Sequence, residues 1–537
     1  MCTYTMPVFI NGNILSLHED KVYESFCIKD GFFARVGTNE EVLNEYKEEE
    51  EVFDLKGKTV LPGFNDAHMH FLNYAVQKNN VDLVNIDSIE NIINRSASYI
   101  KDKNIPKGSW IVSRGWNDNL FKEKRLPNRY DLDKISTDHP IIFSRICGHI
   151  AVVNSKALEL LKIDSNTQNP SGGVIDKENG DPTGILRENA LNIALDSLPA
   201  LTVEQIKTSL KSAFTDALSC GLTTIQTEDL THCKSLKNLL QAYRELDTEG
   251  SLPIRFVLQL NLNTNELLNE AKELNLRTNL GSDSLKIGPV KLFQDGSLGG
   301  RTAAMKEPYC DEPHKGVLIY KQEELDDLVL KAHDGGFQLT IHAIGDEACE
   351  SVLNSYEKLK EVSSNKDLRP TIVHAQFTNN DLLQRFKTLG VIANVQPSFI
   401  MTDYPIVEKA VGKERAQDSY AFNTMVKMGI PVAFSSDAPI ERFNVIEGIY
   451  GAVNRQDLKG KPVEGFYSNE GMNVMDAIRC YTLGSSYMSF EENIKGKIKQ
   501  GYYGDFIVLS EDISKVPKER IKEVKVLETY VAGIKKY

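Results

Sequence analysis

The sequence predicts an α/β protein: a (β/α)8 TIM barrel with an insertion after strand one, plus a small β-sandwich domain built from both termini. Three observations carry this. Short apolar runs alternate with amphipathic stretches through the middle of the chain. The alternation breaks once, between about residues 76 and 200. Both ends of the chain are rich in strand patterns. Alternating strand and helix implies a parallel sheet, and eight such units close it into a barrel.

The predicted N-terminal part of the sandwich is 1–58. There PVFINGNILSL and SFCIKDGFFARVG alternate around Asn-Gly and Asp-Gly, a strong hairpin signal. The C-terminal part, 489–537, matches it in style with NIKGKIKQGYYGDFIVLS and VKVLETYVAGIKKY. The barrel is predicted over 59–488. Its candidate strands are TVLPGFND, TTIQTED, IRFVLQL, VKLFQDG, QLTIHAIG, TIVHAQ, VIANVQP and PVAFSSDAP. Between several of them lie amphipathic stretches such as VEQIKTSLKSAFTDALSCG and EELDDLVLKAHDGG, each closing on glycine as helices do. The insertion has its own strand candidates, WIVSRGW and IIFSRIC, and a Gly/Pro/Asn-rich stretch, NTQNPSGGVIDKENGDPTG, read as a loop. Its expected place is over the active-site mouth, where loops shape specificity.

Composition excludes several classes of function. The chain has 537 residues, 41% hydrophobic and 26% charged, the mix of a globular protein. A net charge of −13 argues against nucleic acid as a partner, since phosphate binding needs a basic surface. Eight cysteines (Cys2, Cys27, Cys147, Cys220, Cys233, Cys310, Cys349 and Cys480) form no CxxC pair, which argues against a thiolate zinc site. The start, MCTYTMPVFINGNILSL, lacks the basic and apolar regions of a signal peptide, and no apolar run is long enough to span a bilayer. A cytoplasmic protein with no membrane partner is expected; a homodimer is left open.

The chemistry-bearing residues recur at strand ends. His68 and His70 sit in DAHMH, and residues i and i+2 on a strand point to one side, where two imidazoles can share a metal ion. His342 ends LTIHAIG, His374 ends TIVHAQ and Asp437 ends VAFSSDAP. In a barrel, the C-terminal ends of strands one, five, six and eight converge. Nitrogen and oxygen donors of this kind suit divalent metals. Strand four offers Lys291, whose ammonium resists burial. It could pair with Asp295 or Glu228. Alternatively, its neutral amine could take up carbon dioxide and become a carbamate able to bridge two metals.

HxH on strand one, Lys on four, His on five and six, and Asp on eight resembles the binuclear amidohydrolase superfamily. LPGFNDAHMH, VKLFQDGSLGGRTA, IHAIGD, VHAQ, SSDAP and KGKIKQGYYGDFIVL closely resemble amidohydrolase family 3, the group of the YtcJ-like proteins and N-substituted formamide deformylase. The resemblance runs over nearly the whole chain. It implies hydrolysis of a non-peptide C–N bond, of amide or formamide type, in a small molecule by metal-activated water. It implies a zinc-type site of one or two ions, metal roles for His68, His70, Lys291, His342 and His374, and a catalytic role for Asp437 beside the metal. Trp116, His149 and Glu188 in the insertion resemble recurring family motifs and could line the pocket. Arg301, after the SLGG turn, could bind a substrate carboxylate or lock local structure. A D-aminoacylase-like deacylase, a deaminase, or a non-catalytic regulatory barrel are the alternative readings.

Overall fold

In the computed structural model, which describes residues 6–46, 51–146 and 149–537, eight parallel strands form one sheet in sequence order. They are Phe64–Met69, Leu222–Glu228, Arg255–Leu260, Leu285–Phe293, Leu339–Ala343, Thr371–His374, Ile392–Val395 and Val432–Phe434, numbered one to eight below. Their residues are almost all buried, as parallel strands covered on both faces must be. Main-chain bonds just past the strand ends bring the last strand back to the first. The Asp437 N–H donates to the His68 carbonyl at 2.9 Å, and the His70 N–H donates to the Ala438 carbonyl at 2.7 Å. The helices Val203–Ser219 and Gln322–Asp334 form where the amphipathic patterns predict. Each is followed by a glycine in the left-handed region, Gly221 at φ 80° and Gly336 at φ 82°.

The chain divides into two units, Met1–Leu72 with Ala213–Tyr537, and Asn73–Ser212. The first holds the barrel and a β-sandwich of two sheets. One sheet runs in the order Phe32–Gly37, Ser25–Lys29, Val8–Ile10, Val52–Asp54. The other runs Ile534–Lys535, Val526–Val531, Phe506–Leu509, Thr59–Pro62, Asn13–Leu15, Val22–Tyr23, so both termini build it. Phe9, Phe26 and Phe33 share one core with Phe506 and Tyr530. The Phe506 and Tyr530 rings stack at 4.3 Å between centroids.

The Asp30-Gly31 hairpin forms as predicted, with Lys29 opposite Phe32 and both turn residues at positive φ. The expected Asn11-Gly12 hairpin does not. Val8–Ile10 and Asn13–Leu15 belong to different sheets, and the turn carries the chain between them. Phe9 and Ile14 thus enter the shared core from the two different sheets. The first barrel strand is also corrected. Thr59–Pro62, read as its start, pairs antiparallel with Phe506–Leu509 in the sandwich, and the barrel strand begins at Phe64. Gly63 makes the break: a Cβ there would lie 2.2 Å from Thr223 Oγ1.

The second unit, Asn73–Ser212, has a five-stranded sheet in the order Gly173–Glu178, Asp181–Glu188, Ile150–Val153, Ile141–Arg145, Ile111–Trp116. Two of these are the predicted strands. The Gly/Pro/Asn-rich stretch is a hairpin rather than a loop, with Glu178 opposite Asp181 around Asn179-Gly180 at φ 50° and 91°. Its Asn-Gly is the turn signal that its polar composition masked. Cys2, Cys147 and the first five residues of the stretch read for a signal peptide lie outside the described residues. Among the described residues, no helix is long and apolar enough to cross a membrane.

Candidate active site

Each imidazole of the predicted set is fixed through one ring nitrogen by a neighbouring strand. His68, on strand one and fully buried, has Nδ1 2.6 Å from Gln259 Oε1 at the end of strand three. His70 has Nδ1 2.7 Å from the Glu228 carbonyl at the end of strand two. His374, ending strand six, has Nδ1 2.9 Å from Gln396 Oε1 just past strand seven. His342, on strand five, has Nε2 3.0 Å from the Gly296 carbonyl. In all four the opposite nitrogen is left for another partner. Metal-ligating histidines are held in this way by their surroundings.

Asp437 is the meeting point. Its Oδ1 lies 3.4 Å from His68 Nε2 and 3.3 Å from His70 Nε2. One donor atom from each of these three residues lies within 4.8 Å of the others, so the group could hold a metal ion. The His68 and His374 ring centroids are 6.4 Å apart, and those of His374 and His342 4.3 Å. His374 and Asp437 both have positive φ, 79° and 57°, a conformation that costs energy for residues other than glycine. Strain of this kind clusters at functional sites.

Lys291 is fully buried on strand four. The ion pair with Asp295 or Glu228 that its burial suggested does not form. Its Nζ lies instead 3.3 Å from His68 Nε2 and 3.9 Å above the centre of the Phe293 ring. Asp295 is occupied by the backbone N–H groups of Ala304, Ile344 and Gly345 and faces His342 at 3.3 Å.

The electrostatics suit cation binding. Burial pushes the Lys291 amine down to about 8. Burial, with the charge of Lys291 added, lowers His68 to about 4, and burial holds His374 well below the ordinary imidazole range. These rings are therefore neutral at pH 7, with a lone pair to give. Burial alone would raise Asp437, but its bonds to His68 and His70 outweigh it and keep the carboxylate ionised. Glu228 Oε2 is buried, without a hydrogen-bond partner among the described residues, 3.3 Å from His70 Nδ1. Burial would lower His70, but its bonds to Asp437 and Glu228 outweigh it and raise it to about 10, so its positive charge balances these buried carboxylates in the place a metal cation would take.

The remaining predicted residues have partners of their own. Arg301 is committed to structure: it grips Asp311 with two bonds, at 3.0 and 2.7 Å, and the Leu298 carbonyl with a third. Trp116 is 1% exposed in the core of the Asn73–Ser212 unit, with its indole N–H donated to the Phe143 carbonyl at 2.8 Å. Its ring packs that core and keeps no polar atom for a ligand. His149 and Glu188 face each other on that unit's surface, Nδ1 to Oε2 at 2.9 Å. Glu228, Gln259 and Gln396 escaped the sequence reading as residues of the site. All three lie at strand ends in the same position as the histidines, in TTIQTED, FVLQL and NVQP, and that shared position is the signal that could have found them.

An eight-stranded barrel with imidazoles and a carboxylate gathered at the C-terminal strand ends defines a hydrolase with a metal-type centre. Comparison with known proteins gives the family. The amidohydrolase family model matches residues 51–534, and this chain belongs to that family. The YtcJ protein of Bacillus subtilis is 33% identical over 520 residues, covering 96% of both chains. N-substituted formamide deformylase of Arthrobacter pascens is 28% identical, covering 99% of this chain and 98% of its own. A metal-dependent hydrolase from Pyrococcus horikoshii, of known structure, is 31% identical with a TM-score of 0.81, covering 96% of this chain and 99% of that one.

Proposed function

We propose that the protein hydrolyses a non-peptide C–N bond, of amide or formamide type, in a small molecule. The observation that carries this is the convergence of His68, His70 and Asp437, each histidine turned toward the carboxylate by a fixed partner. His68, His70, His342, His374 and Lys291 would hold one or two divalent ions, zinc being the ion that suits nitrogen-rich sites. The ion supplies polarisation of the carbonyl and acidification of water.

Asp437 does the proton work. Held ionised by its neighbours, it accepts a proton from the attacking water and delivers it to the leaving nitrogen. The water oxygen joins the carbonyl carbon, the C–N bond breaks, and a carboxylic acid and an amine leave. Amines leave poorly unless protonated, so the shuttle decides the rate.

Lys291 has the chemistry for a carbamate. With its amine lowered to about 8, roughly a tenth is neutral at pH 7 and nucleophilic toward carbon dioxide. The product carries a negative charge in beside His68 and His374, both neutral, and its formation releases one proton. Similarity to N-substituted formamide deformylase supports N-formyl amines as the first substrates to try. The test is a screen of N-formyl and N-acyl amines with the released amine measured. Amine release that disappears with chelation and returns with zinc is expected. Release of ammonia from an amidine or aminopurine instead would make the enzyme a deaminase.

A further inference from the structure

Beside Asp437 lies a polar side-chain cluster that the hydrolytic chemistry does not use. After strand eight the chain turns, with the Ile440 N–H donating to the Asp437 carbonyl at 3.0 Å, and Glu441 follows at once. The Glu441 carboxylate accepts from Thr402 Oγ1 at 2.6 Å. Asp403, next to Thr402 on the helix Pro397–Ala416, accepts from the Tyr420 hydroxyl at 2.7 Å and from Gln376 Nε2 at 3.4 Å. Gln376 stands two residues beyond His374 and is 2% exposed. Its Oε1, on the amide that meets Asp403, has no hydrogen-bond partner among the described residues. One helical turn before Asp403, the Phe399 ring lies 5.9 Å from that of His374. The cluster thus draws on residues that follow strands six, seven and eight.

Its spare hydrogen-bonding capacity is all of one kind. Once ionised, both carboxylates are acceptors only, as is the Gln376 oxygen. Among the described residues neither Asp403 nor Glu441 forms an ion pair. Arg301, the cation whose charge reaches Asp403, is bound to Asp311 by two hydrogen bonds. Burial pushes the Glu441 carboxyl up to about 7, and the charges of Asp403 and Asp437 add to the rise. Half-buried carboxylates crowded together without a cation are unfavourable, and a ligand that brings the cation relieves this. Hydrogen bonds from a charged N–H donor to carboxylates are the strong ones.

We propose that Glu441, Asp403 and Gln376 form a subsite for a positively charged, N–H-bearing group, so that the substrate is an amide with an ammonium or guanidinium substituent. The assignment of substrate rests on the hydrolytic reading of the adjoining site; the subsite itself does not. The test is calorimetric titration of the full-length protein with butylguanidinium and with butylurea, which share a planar shape, while the urea lacks the charge and has a carbonyl in place of one amino group; the salt dependence isolates the charge. The cation is expected to bind at least tenfold more tightly, with the preference shrinking as salt rises. Glu441→Gln and Asp403→Asn should each weaken the cation about tenfold and leave butylurea unchanged. Equal binding of the two probes, or variants that weaken both alike, would overturn the subsite. If a variant does not fold, the charge preference of the unmodified protein and its salt dependence still decide the matter. Binding needs no turnover, so a retained preference with no amide hydrolysed defeats the hydrolytic reading alone.

Discussion

The Asp437 N–H donates to the His68 carbonyl at 2.9 Å while the Asp437 carboxylate lies 3.4 Å from the ring nitrogen of the same histidine. The bond that brings strand eight back to strand one thus also sets the proposed proton shuttle against the first ligand. Barrel integrity and site geometry are one feature here, which makes substitutions at Asp437 informative.

Asp437→Asn keeps the size, the main-chain bond and one acceptor oxygen, but removes the basic site. A fall in kcat of about a hundredfold or more is expected, the usual size of a general acid–base contribution. Metal content, by elemental analysis, should fall far less, since four imidazoles remain. A near-normal kcat with metal bound would remove Asp437 as the shuttle.

Protein purified without chelator should carry about one to two equivalents of zinc or a similar ion, since five nitrogen donors adjoin Asp437. His68→Ala should lose most of it. Retained activity with less than a tenth of an equivalent would sink the metal centre.

Lys291→Ala should lose metal and activity, with partial return on adding a short carboxylic acid. Protein labelled with carbon-13 bicarbonate should show a carbamate resonance that the variant lacks. A fully metallated, active enzyme without that resonance leaves Lys291 a free amine.

Glu491 joins Lys286 at 2.8 Å and also pairs with Lys495; Glu491 and Lys495 are almost fully out of solvent and Lys286 is partly buried. Burial alone would raise its carboxyl, but the two ammonium groups outweigh it and bring it down to about 2, from an ordinary value of 4.5. A depressed carboxyl stabilises the fold above its unfolded value and loses that contribution as pH falls through its folded one. The stabilisation should therefore be complete above about pH 4.5 and fade toward about pH 2. Glu491→Gln leaves the buried Lys495 and the partly buried Lys286 without their shared partner and should cost about 3 kcal/mol at neutral pH. Denaturant melts across pH should show the variant with a flatter acid limb; an unchanged midpoint at pH 7 would count against the triad as a stabilising element.

Ending the chain after Gly496 removes Phe506 and Tyr530 from the core that holds Phe9, Phe26 and Phe33. The truncated protein should be insoluble. A soluble truncation with the same melting temperature would show that the N-terminal strands fold without their partners.

The barrel was legible because its signal is local. Strands such as TIVHAQ and PVAFSSDAP are short apolar runs, and amphipathic segments closing on glycine lie between several of them. The Asn11-Gly12 turn misled for the opposite reason. Its dipeptide favours a hairpin, but the pairing of each flanking strand is set by segments far along the chain, Thr59–Pro62 among them. The hairpin at Asn179-Gly180 was hidden under Pro and Gly, and its pairing partner Ile150–Val153 lies outside any local window.

The sequence by itself determined the order of the strands and the donors at their ends: His68 and His70, Lys291, His342, His374 and Asp437. Chain chemistry and period suffice for that. Only the tertiary structure decided what each donor faces. Burial of Lys291 against His68 rather than against Asp295, the hold of Gln259 and Gln396 on two of the rings, and the commitment of Arg301 to Asp311 all depend on side chains brought together across the barrel. Hydrogen bonds and desolvation act over a few ångströms, and residues that close in space can be nearly two hundred apart in the chain, as His68 and Gln259 are.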